Sequence, residues 1–318
     1  MIRIVFSTFL FLFFSCTVNA QAWPSKPVRL VIPFAPGGPT DIIARLVSQK
    51  LSEILGQPML VESRAGAGGN IGTAAVAKSA PDGYTVLITS SAYAVNVSLS
   101  PNAGYDAERD FIAVANVAKQ ANVIFVHPGL PAKTLAELLA LAKASKLAFA
   151  SPGSGTTPHL TAENLFNVTS KLDVTAIHFR GAGPAIAAVV AGEPPIGAGA
   201  LSTPLPHMKA GRLRALAVSS AARVTALPEV PTFAEAGFPG VEDYTWIGVF
   251  LPAGTPPAIA QKLNESINQA LQGADMRERL DALAFEPVGG TPQQFSAYVK
   301  AEIAKWGKVV REGNIKAE

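Results

Sequence analysis

Cysteine is nearly absent: Cys16 is the only one in 318 residues. A chain so poor in thiols builds no disulfide framework and no cysteine-based metal site. Charge is scarce too, at 15% of residues, and 26 basic against 23 acidic side chains leave a formal +3. No block of Lys and Arg occurs, which argues against nucleic acid as a partner, because duplex binding calls for a clustered basic face. His127, His159, His178 and His207 are dispersed without the paired spacing of metal ligands. After the first 20 residues no apolar run approaches the length of a membrane span.

What is there is a hydrophobic share of 49%, with 27 Gly and 25 Pro. That excludes intrinsic disorder. Single cores stop growing at about 250–300 residues, so two domains are expected. Residues 1–20 read as an export signal: Arg3, an apolar run over 4–14, then Val18-Asn19-Ala20 as the small-residue end. The run is too short for the ~20 residues of a spanning helix. Cys16 lies inside this signal, and a lipid-anchored cysteine fits poorly after Phe13 and Phe14. The mature chain is expected to be soluble and periplasmic.

The rest alternates strand and helix. Strands are expected at 28–32, 59–62, 84–89, 122–126, 147–150, 174–179 and 213–219. Thr40 is expected to cap a helix that Gly56 ends, with Asp41 in its first turn, where the dipole favours an acid. Further helices are expected at 71–80, 134–144, 158–166, 184–191 and 256–272, and Thr291-Pro292-Gln293-Gln294 is a capping box that opens a last one. This order implies α/β layers with parallel sheets.

Several strands run into Gly/Ser/Thr loops that open helices: 34–41, 90–93, 151–157 and 180–183. Unpaired amides at helix N-termini bind anions. Glycine admits a ligand to the backbone, and hydroxyls add donors. One such loop is an ordinary turn; four make an anion or carboxylate site the better reading. His159 follows one loop and could donate to a carboxylate. Arg180 could pair with one, or be a solvated loop arginine. Asp41 could contact ligand, or simply pair with Arg45 one turn on. Catalytic motifs fail: the 66–71 glycines miss the dinucleotide fingerprint, no phosphate loop occurs, and Ser154 lacks the flanking glycines of a nucleophile elbow. An exported α/β hydrolase is the rival reading, but no nucleophile and base can be nominated for it.

The segment Trp23-Pro24-Ser25-Lys26-Pro27-Val28-Arg29-Leu30-Val31-Ile32-Pro33-Phe34-Ala35-Pro36-Gly37-Gly38-Pro39-Thr40-Asp41 resembles the opening of the Bug-type extracytoplasmic solute receptors, the substrate-binding components of tripartite tricarboxylate transporters. The likeness continues in Ala65-Gly66-Ala67-Gly68-Gly69-Asn70, Ser154-Gly155-Thr156-Thr157-Pro158-His159, Leu205-Pro206-His207-Met208 and Leu227-Pro228-Glu229-Val230-Pro231. It implies a two-lobed periplasmic binding protein fold, type II-like, each lobe a mainly parallel sheet flanked by helices. Lobe one would hold residues 21–122 and 249–318, lobe two 123–248, with crossings near 122–126 and 245–250. The implied ligand is a small organic acid in the interlobe cleft, with no cofactor, metal or catalysis. The expected ligand-binding residues are Phe34, Gly37, Gly38, Pro39, Thr40 and Asp41, Ser90 and Ser91, and Ser151, Gly153, Ser154, Gly155 and Thr156, together with His159, Arg180 and Ala200. A monomer is expected, whose partners are membrane subunits of a transporter or a membrane sensor. Many relatives carry Asp-Asn where Gly199-Ala200 stand here. If that acid is a lost cleft partner, the ligand lacks an amino or hydroxyl group at that point, or is bulkier or more apolar, and Gly199→Asp should weaken its binding.

Overall fold

The computed structural model describes residues 23–316; the expected signal at 1–20 lies outside them. The chain opens with β1 (Val28–Ile32), α1 (Pro39–Leu55), β2 (Met59–Ser63), α2 (Asn70–Ala77), β3 (Thr85–Ser90) and α3 (Ala92–Leu99), then a 16-residue strand, β4 (Phe111–Val126). There follow α4 (Leu135–Ala144), β5 (Leu147–Ser151), α5 (Thr157–Glu163), β6 (Val174–His178), α6 (Ala182–Val190), β7 (Ile196–Ala200), α7 (Leu205–Lys209) and β8 (Arg214–Val218). The chain ends with β9 (Tyr244–Pro252), α8 (Pro257–Gln272), α9 (Ala274–Ala282), β10 (Glu286–Gly289) and α10 (Pro292–Glu312).

Local chemistry explains the first unit. The β-branched run of β1 buries all but Arg29. Pro39 has a fixed φ suited to a first helical turn and no N–H to leave unpaired, so α1 starts there. Its cap is therefore Gly38 and not Thr40, which stands inside the first turn. Ile43, Val47 and Leu51 then make one buried face at four-residue spacing. Thr134 and Thr291 cap α4 and α10 as their sequences imply, the second with a complete capping box.

The strands follow the order β2-β1-β3-β9-β4-β7-β5-β6, with β8 and β10 also paired to β4. Two parallel triplets, β2-β1-β3 and β6-β5-β7, form the outer parts. Between them β4 and β9 run antiparallel to their neighbours, an arrangement the strand–helix alternation does not announce. β4 pairs with β9 from Phe111 to Ala121, then with β7 and β8 from Asn122 onward. One strand thus belongs to both sheets, and each sheet carries its own apolar core.

Candidate ligand cleft

A cavity of about 40 Å³ lies between the two sheets at the carboxyl ends of the parallel strands. A larger hollow, about 660 Å³ between Lys133 and Glu235, lies wholly on the second lobe. Phe34, Ala35, Gly38, Pro39 and Thr40 form one wall of the interlobe cavity, after β1, and Ser90 ends β3 beside them. The facing wall is Pro152, Thr156, Thr157 and Pro158 after β5, Gly181 and Ala182 after β6, and Ala200 at the end of β7. Thr245 of β9 completes it.

Two helix N-termini from opposite lobes meet here. A Cβ added to Gly38 would stand 3.9 Å from Ala182 Cβ, and one on Gly181 only 3.2 Å from Ala35 Cβ. The first-turn amides of Thr40 and Asp41 in α1, and of Ala182 and Gly183 in α6, have no acceptor among the described residues. The Thr40 side chain is 2% exposed and also lacks a partner there. Four bare donors on two facing dipoles favour negative charge.

The lobes touch around this cavity. Ser91 and Thr157 share a hydroxyl–hydroxyl hydrogen bond across the cleft. Asn96 of α3 donates to Gly68 O at 3.0 Å and packs against Gly155, and Gly68 in turn abuts Ser154 O.

Of the residues expected from sequence, Phe34, Gly38, Pro39, Thr40, Ser90, Thr156 and Ala200 line the cavity. The others do not. Asp41 is spent on its own loop, accepting from Gly37 N and Arg45 Nε, both at 2.9 Å. Ser151 Oγ exchanges hydrogen bonds with Gly153 at 3.2 Å, which shapes the loop. His159 is buried with Nδ1 toward Gly155 N and Nε2 3.7 Å from Glu163, so it does not reach the cavity. Burial opposes the Glu163 charge, yet hydrogen bonds from His159 and Asn167 hold its carboxyl below the usual range. Arg180 is exposed and off the lining, the solvated loop arginine of the plainer reading. Thr157, Gly181 and Ala182 belong to the expected loops 151–157 and 180–183 without having been singled out, and Pro158 follows the first of these; the apolar three lacked a polar group to mark them.

Gly199 needs a correction. Side chains alternate along a strand, and a Cβ at Gly199 would stand 3.2 Å from Phe125 and 3.7 Å from Pro204, away from the cavity that Ala200 lines. An acid at 199 would be buried against a ring without a partner. Gly199→Asp is therefore expected to lower unfolding free energy by about 2–4 kcal/mol, read by urea denaturation. A variant of unchanged stability would refute this placement.

Two α/β lobes joined by a shared strand, with a small donor-lined cavity between them, define the solute-binding receptors that close on a ligand. Residues 43–315 match the tripartite tricarboxylate transporter family receptor, and the chain belongs to that family. It is 40% identical to protein BugT of Bordetella pertussis over 303 residues, 94% of this chain and 93% of that protein. The R. palustris protein Rpa4515, solved with adipate, superposes with a TM-score of 0.90 at 35% identity, covering 93% of this chain and all of that one. MatC of Rhodopseudomonas palustris, solved with malate, gives 0.85 at 33% identity, covering 91% of this chain and all of that one. Among the described residues no helix is long and apolar enough to cross a membrane, and no cluster of His, Cys, Asp and Glu could hold a metal.

Proposed function

We propose that this receptor captures a small organic acid in the periplasm and delivers it to membrane subunits of a tripartite transporter, without catalysis. The observation that carries the reading is that Thr40 of α1, with its unpaired amide and unpartnered hydroxyl, and Ala182 of α6, with its unpaired amide, line one cavity between the lobes. The carboxylates bound by Rpa4515 and MatC support the same ligand class. In this reading the carboxylate docks on α1, and closure brings the α6 amides onto it and excludes water. The ligand favours closure only by its extra affinity for the closed form. Phe34, Gly38, Pro39, Thr40, Ser90, Thr156 and Ala200 contact it; Gly37, Asp41, Ser91, Ser151, Gly153, Ser154 and Gly155 shape the loops and the closed contact. The division into 21–122 with 249–318 and 123–248 belongs to the proposal, supported by the change of β4 partners after Ala121.

Thr40→Val keeps the shape and removes the hydroxyl. A hydrogen bond to a charged group contributes about 1.5–3 kcal/mol, so the Kd for the tightest of acetate, butyrate, malate and adipate should rise about tenfold to a hundredfold at unchanged Tm. Calorimetry showing equal affinity would remove Thr40 from the site.

A further inference from the structure

Two residues of the cavity wall, Thr157 and Thr245, lead by short hydrogen-bond chains to one buried carboxyl behind it. Thr245 Oγ1 donates to Asn122 Oδ1 at 2.6 Å, and Asn122 turns its amide to Asp243. On the other side Thr161 stands between Asp243 and Thr157 O, its hydroxyl within reach of both. Thr157 in turn holds Ser91 of the first lobe across the cleft. Along either chain a single residue separates Asp243 from the wall.

We propose that Asp243 is a positioning residue of the ligand site that serves as a neutral acid, so that capture of an organic anion takes up a proton. This rests on the carboxylate reading above. An anion between the lobes and an ionised Asp243 would be like charges with little water between them, and such a pair favours protonation of the acid. Burial of Asp243 acts in the same direction. The neutral form also frees the Thr161 proton for Thr157 O, bracing the residue that bridges to Ser91. Of the titratable groups around Asp243, Lys305 of α10 favours the ionised form, but its ammonium is drawn to Glu242 O at 2.9 Å. Burial keeps the Tyr298 hydroxyl of the same helix protonated. The Tyr244 hydroxyl accepts from Ala221 N, and His159 and Glu163, either side of Thr161 on α5, face each other. By linkage, uptake of one proton lowers affinity as pH rises, by at most about tenfold per pH unit.

Calorimetry on the chain from residue 21, with acetate, butyrate, malate and adipate, tests this between about pH 7 and about pH 9, where these acids stay ionised. Runs in paired buffers of different ionisation enthalpy read the protons exchanged as well as the Kd. Wild type should take up a measurable fraction of a proton, and the Kd of its tightest acid should rise about threefold or more across the range. Asp243→Asn keeps the neutral shape and cannot titrate, so its Kd should move less than about twofold, with no uptake. A flat Kd with no uptake in wild type overturns the proposal by itself, needs no variant, and leaves the carboxylate reading standing. The wild-type pH dependence persisting in D243N places the proton elsewhere and overturns it too. Absence of binding by all four acids overturns both.

Discussion

Gly155→Val is expected to weaken acid binding by about a hundredfold while the chain stays folded. Gly155 has φ +76°, where a side chain costs roughly 1–2 kcal/mol and a β-branched one more. Its added Cβ would also overlap Asn96 Oδ1 and stand 3.2 Å from Leu99 Cδ2, both on the opposite lobe. Asn96 cannot swing aside freely, being buried and bonded to Gly68 O at 3.0 Å. The overlap exists only with the lobes together, so the open form escapes it and the closed form does not. Each 1.4 kcal/mol against closure costs tenfold in apparent affinity, and about 3 kcal/mol is a modest toll for such a contact. Titration calorimetry reads the affinity, and small-angle scattering with saturating acid should find the variant still extended. Affinity and compaction equal to wild type would show that this contact is no part of the bound state.

The second large effect sits at the join of the lobes. Asp243 is 3% exposed and lies just before β9. It accepts from Asn122 Nδ2 at 2.6 Å, and both its oxygens lie 2.9 Å from Thr161 Oγ1. Thr161 has one hydroxyl proton, and Thr157 O also lies 2.9 Å from that oxygen. A proton on Asp243 resolves the conflict: the acid donates to Thr161, and Thr161 donates to Thr157 O. Burial pushes the Asp243 carboxyl above its ordinary range, against the opposing pull of Asn122, Lys305 and Thr161. The folded chain therefore holds this proton more tightly than the unfolded chain. Its contribution is fully present below the ordinary carboxylate pKa and is lost as pH rises through the raised value. Asp243→Asn mimics the protonated acid, with its amide donating to Thr161. Urea denaturation should find the variant near wild type at about pH 4 and increasingly the more stable of the two as pH rises. Asp243→Ala leaves Asn122 short of an acceptor and opens a cavity, with an expected loss of about 3 kcal/mol or more. A pH-independent difference between wild type and D243N would mean that Asp243 is ionised throughout.

The first unit was legible in its elements: Gly56 ends α1 as expected, and only the start differs, because Pro39 opens the helix that Thr40 was expected to cap. β7 was not legible. Two prolines precede it and glycine alternates within it, which reads as loop by propensity. Gly197 is there because a Cβ would run into the Phe125 ring and stand 3.0 Å from Val189, a packing demand invisible along the chain. The first two-thirds of β4 was missed for a similar reason: Asn116, Lys119 and Gln120 interrupt the apolar pattern and become tolerable only between β9 and β10. In the cleft, motif reading found the loops yet favoured their polar members. His159 and Asp41 turn out to brace backbone, whereas small apolar residues such as Ala182 and Ala200 form the wall.

Because β4 changes partners between Ala121 and Asn122 without a break, the lobes are coupled through a continuous peptide backbone and not a flexible tether. Parting them is expected to twist that strand, as torque winds a rod, with the least displacement near Asn122 and Tyr244 at the join. The mouth of the cleft then travels far while the base hardly moves. Deuterium uptake at the β4 amides beyond Asn122 should accordingly stay slow whether the cleft is empty or filled, and the large changes in uptake should fall on the loops at 34–41 and 151–157.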